Sequence, residues 1–116
     1  MKHHKKLRSF GRTSNGRKAL MKSLARALVL EERIETSEAK AKELRPMIEK
    51  MVTKAKESNL SQIRANAMIL GEDAEKKLRN DIAPQYKERN GGYTRIVKLP
   101  QVRSDASKQA VIEFVK

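Results

Sequence analysis

The chain has 116 residues, about one domain's worth, with 27 Lys and Arg against 14 Asp and Glu and no Cys, for a formal net charge of +13. Disulfides, thiolate nucleophiles and Cys-type zinc sites are excluded, and the absence of thiols fits a reducing interior. No apolar run reaches the length needed to span a bilayer, so a self-repelling charge of this size calls for a polyanionic partner, nucleic acid first and an anionic membrane surface second.

The charge is concentrated at the front. Nine of the basic residues and none of the acidic ones fall within residues 1–30, which carry +9, while the remaining 86 residues carry only +4. Residues 1–13 have no hydrophobic period and are expected to be extended or disordered when unbound. Stretched out, they would reach roughly 40 Å. The N-terminus lacks the continuous apolar stretch of a secretory leader and reads as mature sequence. The division predicts a basic tail, 1–13, that meets the polyanion, and a single α+β globular domain, 14–116, that anchors it.

From Asn15 the pattern turns helical. Leu20, Leu24 and Leu28 recur every four residues with Met21 and Ala25 alongside, and Thr13 or Ser14 offers an N-cap. Lys18, Lys22 and Arg26 recur at the same interval on another face, which continues the charge of the tail. Residues 33–36 suit a short strand. Thr36 or Ser37 then caps a long helix reaching about Ser58, with Leu44, Ile48, Met51, Val52 and Ala55 as its apolar set. Pro46 inside it removes a backbone donor, which predicts a kink, or else two helices meeting there. Ser58 or Asn59 opens a shorter helix with Leu60, Ile63, Ala67 and Leu70, closed by Gly71. Glu72 and Asp73 open a fourth, with Leu78 and Ile82, that Pro84 stops or bends. Residues 93–99 and 110–115 are β-branched and aromatic and read as strands, joined by a polar, flexible loop over 101–109. The class expected is α+β: about four helices packed with a small sheet of two or three strands, plus the extended tail.

No catalytic constellation emerges. Glu31–Glu32 and Glu72–Asp73 are sequence neighbours, whose side chains diverge by about 100° on a helix and cannot form an acid–base couple. Asn90-Gly91-Gly92 lacks the spacing and the Lys of a phosphate loop and is explained as a turn. A Cu(II) site at Met1-Lys2-His3 would have no second shell to hold it. No enzyme activity, cofactor, metal or small-molecule substrate is expected. The only aromatics are Phe10, Tyr86, Tyr93 and Phe114, and the motifs of base-stacking sheets are missing. Recognition should therefore rest on phosphates, sugar edges and RNA shape. Phe10, between Arg8 and Arg12, either meets a base or anchors the tail to the body.

In order along the chain stand Met1-Lys2-His3, Gly11-Arg12-Thr13-Ser14 with Arg17 and Ala19, Ala41-Lys42-Glu43-Leu44-Arg45-Pro46, Arg89-Asn90-Gly91-Gly92-Tyr93-Thr94-Arg95-Ile96, and Ile112-Glu113-Phe114-Val115. Together they closely resemble the bacterial large-subunit ribosomal protein seventeen family across essentially the whole chain. The family usually has Gly where Leu7 and Ser104 stand and a polar residue at Gly16; these departures touch local contacts and remove no basic residue. The resemblance implies a structural constituent of the large ribosomal subunit, cytoplasmic and within the ribosome. Such a protein binds large-subunit ribosomal RNA near the polypeptide exit region and touches neighbouring large-subunit ribosomal proteins. It further implies RNA contacts at Lys2, His3, Lys5, Lys6, Arg8, Phe10, Arg12, Ser14 and Arg17. Lys18, Lys22 and Arg26 join them from the helix pattern alone, and Arg89 and Arg95 flank the Gly-Gly turn as further candidates. A DNA-associated architectural protein and a membrane-surface protein using the first helix are the rivals, and an enzyme is the remotest reading.

Overall fold

The computed structural model describes residues 14–57, 59–100 and 108–116, so the expected tail, 1–13, and most of the 101–109 loop lie outside the described residues. The elements in chain order are α1 (Ser14–Glu31), β1 (Arg33–Ser37), α2 (Glu38–Glu57), α3 (Leu60–Leu70) and α4 (Glu72–Lys77), then β2 (Thr94–Lys98) and β3 (Gln109–Phe114). This is the expected α+β class, four helices with a small sheet. The sheet has three antiparallel strands in the order β1-β3-β2, so the last strand of the chain lies in the middle. Ile112 lies opposite both Ile34 and Ile96, and the next row sets Glu113 between Arg33 and Arg95. Strand alternation thus turns the isoleucine row to the helices, where it packs on the core, and the charged row away from them.

The helix boundaries have local causes. Ser37 caps α2, its Oγ accepting the Lys40 N–H at 3.2 Å, and Asn59 caps α3, its side chain accepting the Gln62 N–H at 2.9 Å. Ser14 is the first residue of α1, and the other N-cap candidate, Thr13, lies outside the described residues. At the far end of α1, Glu32 adopts φ 65° and donates its N–H to the Leu28 carbonyl at 2.6 Å. Lys77 donates to the Leu30 carbonyl at 2.6 Å, so carbonyls that a helix end leaves without partners are met. Helix α2 runs as one element through Pro46, and the alternative of two helices meeting there is not adopted. Pro84 does change the helix before it. After Lys77 the chain widens into a π turn, Leu78–Ile82, and then tightens into a 3₁₀ turn, Ala83–Tyr86. A proline has no N–H and its ring presses on the carbonyl four residues back, so the regular ladder cannot continue.

Two apolar faces differ from the sequence expectation. On α1 the core side is Met21, Ala25, Leu28 and Val29; Leu24 packs only partly against it, and Leu20 lies outside the core cluster. On α3 only Leu70 of the expected set is buried, Leu60 is 60% exposed, and Asn66 takes the inward position at 1% exposure. Its amide donates to the Met51 carbonyl at 3.1 Å, so an α2 carbonyl selects a polar residue where an apolar one was expected. The α2 set is buried as expected, with Ala41 added.

One clamp ties α1 to the junction of α3 and α4. Arg26 donates Nη1 and Nη2 to the two carboxylate oxygens of Asp73 at 2.6 and 2.8 Å. The same Nη1 reaches the Leu70 carbonyl, the end of α3, at 2.8 Å. Gly71, between the two acceptors, has φ 86° and ψ 162°, a region open essentially to glycine alone. A Cβ there would lie 2.9 Å from Arg26 Nη1. Hydrogen bonding from Arg26 first, and then from the Ala74 N–H, holds the Asp73 carboxyl down at about 2, below its ordinary 3.8.

Two outcomes follow from the clamp. Gly71→Ala should lower the unfolding free energy by about 1–3 kcal/mol through backbone strain. Because the new methyl also displaces Arg26, its effect and that of Asp73→Asn should add to less than their sum in a urea double-mutant cycle; full additivity would detach the glycine from the clamp. The second outcome concerns acid. A carboxyl whose folded pKa is depressed adds stability above its unfolded pKa and loses it as pH falls through the folded one. The melting-temperature advantage of the native protein over Asp73→Asn should therefore be full at pH 6 and shrink between about pH 4 and pH 2. An advantage unchanged across that window would refute the assignment.

Candidate nucleic-acid interface

The candidate residues fall into three groups. Lys2, His3, Lys5, Lys6, Arg8, Phe10 and Arg12 lie outside the described residues. Ser14, Arg17, Lys18 and Lys22 lie on the first turns of α1, the two lysines exposed and Arg17 half-buried. Arg26, Arg89 and Arg95 are each held in different surroundings.

The cations of α1 divide after Lys22. Among the described residues, Arg17, Lys18 and Lys22 have no carboxylate within ion-pair distance. Arg26, one helical repeat further on, is the clamp residue, with both terminal nitrogens engaged. Positions four apart drift by about 40° per step around a helix, so two steps carry Arg26 roughly 80° away from Lys18 and over α4. The structure gathers other cations beside the free three. Arg17, Lys18, Met21 and Lys22 border a groove floored by Met47 and Ile69. The same floor continues past Pro46 to Lys50 and Lys54 of α2.

Arg89 is exposed at the mouth of the Asn90-Gly91-Gly92 turn. Gly91 and Gly92 have φ 140° and 65°, which accounts for glycine at both positions. A stripe of α2 grips the segment that follows. The carboxylate of Glu49 accepts the N–H of Tyr93 at 3.2 Å, the N–H of Thr94 at 2.9 Å and the Thr94 hydroxyl at 2.7 Å. Lys56 donates to the Arg89 carbonyl and, at 3.1 Å, to the Tyr93 hydroxyl, and Arg45 reaches the Thr94 carbonyl at 3.3 Å. The turn is therefore fixed by side chains, not left to its own propensity. Nothing local marks Glu49 for this; only its position on the same α2 stripe as Arg45, Thr53 and Lys56, three or four residues apart, hints at a shared partner.

Arg95, on β2, donates to Glu113 at 2.6 Å, and Arg33 approaches the same carboxylate from the other side at 3.1 Å. Arg95 first, then Arg33, hold the Glu113 carboxyl below its ordinary range. Both arginines remain largely exposed despite the pairing. The turn and the groove are separate places: their α2 contacts form two stripes roughly 130° apart around the helix axis. Of the aromatics, Tyr86, Tyr93 and Phe114 are buried. Tyr86 and Tyr93 pack on each other at 5.2 Å between centroids, which removes them as stacking platforms. No helix of the described residues is long and apolar enough to cross a membrane.

The described residues thus set exposed cations of α1 beside an apolar groove, and comparison with known proteins supplies the family. Residues 20–115 match the family described as Ribosomal protein L17. The protein named large ribosomal subunit protein bL17 from Hydrogenobaculum sp. (strain Y04AAS1) is 49% identical, with all of both chains covered. Its namesake from Shouchella clausii is 50% identical over 90% of this chain and 95% of its own, and that from Campylobacter concisus is 46% identical over 99% and 98%. On near-complete matches of this kind, the chain belongs to the bL17 family of large ribosomal subunit proteins.

Proposed function

We propose that the protein is a structural constituent of the large subunit that binds and stabilises large-subunit ribosomal RNA, and that it acts in the cytoplasm within the ribosome. Residues 1–13 and the outward face of α1 make the main contact, and residues 14–116 form the anchoring domain. The observation that supports this most directly is that Arg17, Lys18 and Lys22 lack an ion-pair partner among the described residues and follow five further cations before Ser14. Phosphates are the partner that removes their mutual repulsion. Binding releases condensed counterions, and that entropy offsets the cost of ordering a leader with no apolar period. Arg89 and Arg95 contribute a second, smaller contact beside the Gly-Gly turn, and neighbouring ribosomal proteins cover part of the remaining surface. The protein is not an enzyme in this reading, and it needs no membrane and no small-molecule substrate.

Arg26 is assigned to the fold and not to the RNA. Eight cations then remain in residues 1–25, and the log–log dependence of RNA affinity on salt should have a slope of about −6 to −7. Deleting residues 1–13 removes five of them and should flatten the slope by about 4 while leaving the circular dichroism of the body intact. Equal slopes for full-length and shortened protein, titrated with large-subunit ribosomal RNA, would defeat the proposal. Single substitutions separate the α1 residues. Lys18→Ala and Lys22→Ala should each reduce the slope by about 1 with little change in melting temperature, whereas Arg26→Ala should lower the melting temperature and leave the slope in place.

A further inference from the structure

The groove bordered by α1 has a chemistry that phosphate binding does not use. Met21, Met47 and Ile69 give it an apolar floor, in a first stretch of about 330 Å³. The second stretch, about 450 Å³, shares Met47 and Ile69 and adds Met51 and Pro46. Cations border both stretches: Arg17, Lys18 and Lys22 of α1 the first, and Lys50 and Lys54 of α2 the second. Among the described residues none of these five has an ion-pair partner.

We propose that this groove receives an unstacked nucleobase of the bound RNA, with the phosphates on either side of that base held by the cations of its two stretches. The proposal rests on the RNA-binding reading and names a subsite within it. Two features select this occupant. The floor is apolar and rich in methionine, whose polarisable thioether makes favourable contacts with aromatic rings and whose flexible chain adapts to their shape. The α1 edge is continuous with the cationic face that meets the RNA backbone, so a nucleotide that leaves its stack beside α1 is already at the groove. Bases splayed out of loops and bulges are what proteins commonly capture in RNA. The described aromatics are all buried, so no ring of the described residues is open for stacking and the apolar floor of this groove takes that part.

The test uses full-length protein and two RNA hairpins that differ only in whether a single 2-aminopurine is bulged or paired. The bulged hairpin should bind about tenfold more tightly, the scale of one seated base, with a change in its fluorescence. Met47→Gln should abolish that preference while leaving the affinity for the paired hairpin and its salt slope unchanged, and Ile69→Thr, a change at another floor position, should do the same. Equal binding of both hairpins by the native protein, with a normal salt slope, would overturn the groove proposal and leave the RNA-binding reading standing. Failure to bind either would remove the RNA-binding reading itself. A preference that survives both substitutions would overturn the groove proposal, as would nuclear Overhauser contacts placing the Phe10 ring on the Met21 and Met47 methyls in the RNA-bound protein. The last result would give the groove to the chain's own N-terminal segment.

Discussion

Self-repulsion is the constraint that this fold has to satisfy. A net charge of +13 on 116 residues opposes compaction, and the acidic residues, all at or beyond Glu31, offset part of it by pairing with cations of the described residues. Several carboxylates each serve two cations brought from different parts of the chain. Glu32 takes Lys77 and Lys116, Glu38 takes Lys42 and Lys98, and Glu113 takes Arg33 and Arg95. Pairs of this kind at a surface are worth little individually. Their effect here is to cancel like-charge repulsion between elements that the core has already brought together. The core is the source of cohesion: Leu28, Leu44, Ile48, Leu78, Ile82 and Ile112 are fully buried in one cluster.

The helices and their ends were legible because their signals are local. Asn59 and Ser37 announce caps within three residues of the groups they bond, and the apolar spacing of α2 places its buried face apart from Ala41. The sheet order was not legible. That β3 lies between β1 and β2 is decided by pairings between residues about eighty positions apart, and no property of 33–37 or 109–114 taken alone encodes them. The inward face of α3 was misplaced for a related reason. An apolar count favours Leu60 and Ile63, but the carbonyl of Met51 on a neighbouring helix selects Asn66, and burial follows that partner.

The candidate interface shows the same boundary between local and tertiary information. The density of cations at the front of the chain is a property of composition and needs no fold to be seen. Which of them stay free is a property of the fold. Lys18, Lys22 and Arg26 look equivalent at a spacing of four, yet the helix turns 3.6 residues per repeat and carries the last one over α4, where Asp73 captures it. Arg95 likewise looks free in sequence and is paired across the sheet with Glu113. Glu49, by contrast, looks like an ordinary solvated acid and fixes the start of β2 by three hydrogen bonds.

This separation of charge also separates two responses to salt. The body is held mainly by apolar burial, which added salt does not weaken, and its exposed ion pairs are screened at small cost because each contributes little. Contacts to phosphate behave in the opposite way, since their free energy comes from counterions released into solution and falls steeply as that solution fills with salt. On the proposed RNA-binding role, the protein therefore remains folded at ionic strengths where its phosphate contacts have gone. Folding and docking are then distinct equilibria, and Arg26 falls on the folding side: on α1, one helical repeat beyond Lys22, its charge is answered by Asp73 from within the chain.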